Sequence, residues 1–197
     1  MHYIRFLKPP RLLSASSSTP LSISAKITVT TDLGESFLLA NTSLVVALEL
    51  DDGTSLLGVG KGREYVWTGR DGMRSLELVI PIPMSKGKRK MSGQVVRMLV
   101  RPKEEGFSVE SFEKLLDNKD SDNGGCVVTV RSMAIDISSG ANGGKAPGVG
   151  MAERVFSMGA GYNKRRVRIW EETGESIARH IWYAAWIWTG TSSFSLY

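Results

Sequence analysis

Between residues 23 and 31 apolar and polar side chains alternate without a break. Ile23, Ala25, Ile27 and Val29 fall on one face, and Ser24, Lys26, Thr28 and Thr30 on the other. A period of two is the signature of a strand with one buried face. Asp32, Leu33 and Gly34 follow with turn chemistry. A second strand is predicted over residues 44–50, closed by the hairpin-type turn Asp51, Asp52 and Gly53, and a short third over 65–68. Over residues 74–83 the alternation returns, with Leu76, Leu78, Ile80 and Ile82 inward. Pro81 and Pro83 predict an edge position there, because proline has no N–H to give to a ladder. Residues 95–101 and 126–137 complete the set. In the last run the buried parity changes from Val128 and Val130 to Met133, Ile135 and Ile137, as one inserted bulge residue near Ser132 would cause.

The pattern divides the chain into four stretches. Residues 1–22 read as an N-terminal strand and a flexible Ser-rich loop (SASSSTP), and residues 23–138 as a β-domain. Residues 139–150 form a Gly-rich linker, and residues 151–197 a different kind of sequence. In that last stretch Ile177, Ile181, Ala184, Ala185 and Trp188 recur at three- and four-residue steps, which predicts an amphipathic helix starting near Gly174. A further helical turn or two is expected within residues 108–117. The expected fold class is mainly β, an antiparallel sandwich or open barrel with a C-terminal amphipathic helix.

Composition narrows the function classes. With 197 residues, 42% hydrophobic and 23% charged, the chain suits one domain of ordinary size, or a modest one with an appendage. No run approaches the roughly 18 uncharged apolar residues of a membrane span. Arg5, Lys8, Pro9 and Pro10 break the opening segment, which makes it a poor signal peptide and leads to the expectation of a cytoplasmic or nuclear protein. Cys126 is the single cysteine, and His2 and His180 lie far apart, so no metal site is expected.

The net charge of +5 favours an anionic partner. Lys86, Lys88, Arg89 and Lys90 form one basic knot, a candidate anion-binding site. Lys164, Arg165, Arg166 and Arg168 form another. A solvated loop is the commoner reading of each. Neither is interleaved with the aromatics of a stacking platform, which disfavours nucleic acid.

Other motifs fail on context. Gly58, Gly60 and Gly62 precede a predicted strand rather than the helix that a dinucleotide fingerprint needs. Residues 140–145 have the wrong glycine spacing for a phosphate loop, with Ala146 in place of the magnesium-binding hydroxyl. Glu49 with Asp52, and Glu104 with Glu105, read as ordinary exposed acids. Cys126 opens a predicted strand and reads as a buried structural thiol.

Residues 169–182, IWEETGESIARHIW, carry the most specific pattern. They resemble the stretch that introduces the catalytic domain in seven-strand, S-adenosylmethionine-dependent methyltransferases, especially the fungal members of the lysine methyltransferase-like family. There a strand ending in an acidic turn and Gly, here Glu172 to Gly174, leads to a helix with the pattern S-x-A-x-x-I/L-W-D-A-G. Ser176, Ala178, Ile181 and Trp182 match it, and Tyr183 stands where the family has aspartate. The opening residues 1–9, the stretch TTDLGESF at 30–37 and WTGRDGMRSL at 67–76 also look like the N-terminal portion of such proteins.

The resemblance implies a truncated methyltransferase domain over 151–197, with Trp182 as a cofactor-binding residue. It implies that S-adenosylmethionine belongs to a full-length version and that this chain lacks the Rossmann-like core. No cofactor and no catalytic residue are therefore expected for the chain itself. In a full-length version the transfer would go to a lysine amine of a protein, with the β-domain as a substrate or partner recognition surface. An exposed Trp-rich helix (Trp182, Tyr183, Trp186, Trp188) would promote self-association. The alternative is a self-standing basic β-module that binds RNA or an acidic protein through the Lys86 to Lys90 loop.

Overall fold

The computed structural model describes residues 1–15, 19–50, 53–56, 62–83, 95–111, 113–114, 126–137, 150–159 and 165–173, and the backbone of Tyr183–Ile187. The strands are β1 (His2–Leu13), β2 (Ser22–Thr30), β3 (Asn41–Leu50), β4 (Arg63–Thr68), β5 (Leu76–Pro81), β6 (Val95–Pro102) and β7 (Ser108–Val109). They continue with β8 (Val127–Val128), β9 (Val130–Ser132), β10 (Ile135–Asp136), β11 (Met151–Met158), β12 (Arg165–Glu172) and β13 (Tyr183–Ile187). The protein is mainly β, with two sheets, one of them curled as a half-barrel.

The smaller sheet runs β5-β2-β1-β8-β7, and the larger β13-β12-β11-β9-β6-β3-β4, with β10 also on β6. Every pair described in the larger sheet is antiparallel; β1 with β8 and β7 with β8 are parallel. The predicted strands of the first hundred residues are present, and β5 lies at an edge as its prolines require.

The inward parity is the one the alternation implies. Ile23, Ile27 and Val29 of β2 and Leu78 and Ile80 of β5 meet Leu44, Val46 and Leu48 of β3 and Val96, Met98 and Val100 of β6 in one core. Trp67 of β4 is completely buried there, and its indole N–H donates to the Leu38 carbonyl at 2.8 Å. Gly69 lies so close to that same carbonyl that a β-carbon would overlap it, so the corner after β4 admits no side chain. At the β5 edge the Tyr65 hydroxyl both accepts from the Val79 N–H (2.8 Å) and donates to its carbonyl (2.5 Å). Pairing groups that an edge strand would otherwise present are thereby occupied.

Residues 126–137 differ from the single bulged strand expected of them. The chain leaves the smaller sheet after β8, joins the larger as β9, and resumes on β6 as β10. At the predicted parity change the Ser132 hydroxyl stands in for a ladder partner, accepting from the Met98 N–H at 2.8 Å and donating to the Met133 carbonyl at 2.8 Å. The 139–150 linker lies almost wholly outside the described residues. The strands on its two sides pair in one sheet, Ala152 opposite Ser132 and Glu153 opposite Arg131. Of the helix predicted from Gly174, residues 174–182 and Trp188 also lie outside the described residues, while Ala184 and Ala185 of its stripe lie in β13. Among the described residues no helix is long and apolar enough to cross a membrane.

Replacing Trp67 by Phe should cost about 1–3 kcal/mol by leaving the Leu38 carbonyl without its donor. Val66→Thr, on the exposed side of the same strand, should stay within about 0.5 kcal/mol. Urea unfolding of the two variants measures the contrast.

Candidate functional site

The outer face of the larger sheet carries a grid of charges set by the register. Glu49 stands opposite Arg97, Arg131 opposite Glu153, and Val155 opposite Arg168. Cross-strand partners share a face, so these side chains converge although their strands come from distant parts of the chain. Glu49 and Arg131 pair at 3.0 Å, and Glu153 takes Arg168 at 3.2 Å and Arg97 at 3.9 Å. Covered by these arginines, Glu153 is only 3% exposed.

The grid floors a depression of about 480 Å³, rimmed by Glu110 and Gly53. Among the described residues its lining holds four arginines, Arg97, Arg131, Arg166 and Arg168, against three glutamates, Glu49, Glu110 and Glu153. Arg166 is exposed, and the Nε of Arg168 is buried without a hydrogen-bond partner. Guanidinium groups so placed offer planar, paired donors to a carboxylate or phosphate. Among the described residues no group of three or more His, Cys, Asp or Glu is arranged to hold a metal ion.

The other face of the antiparallel pair β11 and β12 carries a second network, sealed inside. Arg154 (1% exposed) and Glu171 (2%) lie between the sheets with Arg5 (5%). Arg154 donates to the Glu171 carboxylate from Nη2 (2.7 Å) and Nε (2.9 Å), and to the carbonyls of Ile4 (2.8 Å) and Thr129 (3.2 Å). Arg5 donates to the second Glu171 oxygen at 2.8 Å and reaches the Asp32 carbonyl and carboxylate. Burial lowers the Arg5 pKa below its ordinary value, and the facing Glu171 carboxylate opposes that shift. The Tyr3 ring lies under both guanidinium groups, 5.2 Å from that of Arg154 and 5.7 Å from that of Arg5.

Of the residues singled out from sequence, Arg166 and Arg168 belong to the depression. Arg165, Arg166 and Arg168 of their basic knot lie not in a solvated loop but in strand β12, with Val167 buried between two of them, while Lys164 lies outside the described residues. Glu49 is not an ordinary exposed acid: it is ion-paired and part-buried. Glu104 and Glu105 are exposed as expected. Cys126 is a free thiol of intermediate exposure beside a small cluster of Val109, Val128 and Phe156. The anion-binding candidates Lys86, Lys88, Arg89 and Lys90, the proposed cofactor contact Trp182, and Asp52, His180 and residues 140–145 lie outside the described residues. Sequence reasoning missed Arg97, Arg131 and Glu153, whose one signal is a charge set inside an otherwise apolar strand.

Breaking the interior network by Glu171→Gln leaves two arginines short of their counter-charge and should cost about 3–5 kcal/mol in urea unfolding. His2 supplies a pH test. Its Nδ1 is buried without a partner, and burial first, then the N-terminal amine, holds its pKa below 6.5. The unfolded chain therefore binds this proton more readily, and the associated stability, complete above pH 6.5, declines as pH falls below it. His2→Gln should flatten the stability profile between pH 7 and about 5. No protein-family model, curated protein or solved structure matches this chain.

Proposed function

We propose that this chain is a recognition module that binds an acidic segment of a partner protein in the arginine-lined depression of its larger sheet. The observation that carries this reading is the convergence of Arg97, Arg131, Arg166 and Arg168 from three strands, β6, β9 and β12, onto one concave surface. A cleft with converging polar groups is a natural place for a ligand, and Arg131, Arg168 and Arg97 are already ion-paired with Glu49 or Glu153, whereas Arg166 is exposed and bears a charge for a ligand. The interspersed Glu49, Glu110 and Glu153 disfavour a nucleic-acid backbone, whose uniform negative charge would meet them at close range. A polypeptide can place acids against the arginines and uncharged residues elsewhere.

The resemblance at residues 169–182 supports a second part of the proposal: the module is the N-terminal portion of a protein-lysine methyltransferase-like protein. In that reading β12 is the strand that ends in the acidic turn at Glu172, and S-adenosylmethionine and methyl transfer belong to a full-length version. The β-domain then supplies partner or substrate recognition, and the chain alone is inactive.

A fluorescein-labelled, glutamate-rich decapeptide should bind, more weakly as salt rises, and Arg166→Gln should reduce its affinity about tenfold. A single-stranded RNA oligomer that outcompetes the peptide and loses affinity with the same substitution would overturn the protein-partner reading. Calorimetry with S-adenosylmethionine should show no heat, and micromolar binding would defeat the claim that the cofactor site lies elsewhere.

A further inference from the structure

The outer face of the smaller sheet gathers three cations around one described carboxylate. Lys8 of β1 stands directly across from Lys26 of β2, whose cross-strand neighbour on the other side is Glu77 of β5. Like charges in direct cross-strand register destabilise a sheet. Arg11 lies on the same surface, and the three cations line a second depression, of about 300 Å³, in which Glu77 is the one carboxylate among the described residues.

Two irregularities of β1 create this cluster. Between the pairs Phe6↔Ile27 and Lys8↔Lys26, β1 advances two residues while β2 moves one. One inserted residue there turns Lys8 to the face opposite the buried Phe6, which an unbroken strand would have kept on the same side. Between Lys8↔Lys26 and Arg11↔Ser24, β1 advances three residues while β2 moves two. The second inserted residue returns Arg11 to the side of Lys8. Regular pairing would have placed Lys8 inward with Phe6; the bulges gather the cations outward instead.

We propose that Lys8, Arg11 and Lys26 form a binding site for a phosphate monoester dianion, on the smaller sheet and independent of the arginine-lined depression. A dianion relieves the Lys8–Lys26 repulsion, and the guanidinium of Arg11 adds paired donors. The volume suits a small phosphorylated molecule or a single lipid headgroup.

The test uses the whole chain with two probes, glycerol 3-phosphate in solution and vesicles containing phosphatidic acid. Glycerol 3-phosphate should raise the thermal midpoint of the wild-type protein, or the vesicles should sediment it, and whichever probe acts identifies the source of the phosphate. Lys8→Gln should raise the midpoint of the free protein, because Lys26 then faces only Glu77, and Lys8→Gln and Lys26→Gln should each weaken probe binding about tenfold. Arg166→Gln should leave probe binding unchanged, which separates this site from the peptide-binding surface. The site is refuted if neither probe binds, or if Lys26→Gln and Lys8→Gln leave binding intact.

Discussion

The structure depends on one buried side chain. Arg154 sits where three parts of the chain would each strand polar groups: the carbonyl of Ile4 in β1, the carbonyl of Thr129 where the chain passes from one sheet to the other, and the carboxylate of Glu171 in β12. A buried carbonyl or carboxylate without a donor is costly. A guanidinium has five N–H groups in a fixed fork and can serve all three at once. Arg5 and Asp32 complete the balance, two cations with two anions. Replacement of the whole set by apolar residues need not destabilise the fold, but removal of any one member must.

That interior network and the exterior grid are two sides of one antiparallel pair. Along β11, Arg154 points inward while Glu153 and Val155 point outward; along β12, Glu171 points inward while Arg166 and Arg168 point outward. With a period of two, a slip of one residue would exchange the faces and bring Glu153 and Arg168 into the core. The buried ion pairs thus fix the register that assembles the arginine-lined surface. Recognition chemistry outside and charge satisfaction inside are consequences of the same alternation.

Much of the fold is legible in local sequence patterns. The alternation around Ile23 to Val29, the proline-marked edge of β5 and the parity change near Ser132 need no knowledge of distant residues. What escapes such patterns is nonlocal. Nothing near Arg154 in sequence marks it as buried, because its partners are 17 and 150 residues away. Glu49 and Arg131 are separated by 82 residues, so their pairing exists only once β3, β6 and β9 are side by side. The β1 bulges are equally hidden: a run such as KPPRLL has no period from which an inserted residue could be counted. The knot of Arg165, Arg166 and Arg168 is visible as charge. Its strand character lies in the single buried valine between two arginines.

The two charged surfaces follow different logic. On the larger sheet arginines and glutamates alternate and largely neutralise one another, which suits a partner of mixed or acidic side chains. On the smaller sheet lysine faces lysine, which suits a compact anion. The arginine-lined surface presupposes that β11 and β12 are integral to the same cooperative unit as β1 to β6. Native-state hydrogen exchange tests this most directly. The amides of Arg154, Phe156, Val167 and Ile169 should open only with global unfolding, at the same free energy as those of Ile27 and Val46. Exchange of the β11 and β12 amides through a separate opening of lower energy would show that the Arg154 node does not bind the sheets into one unit.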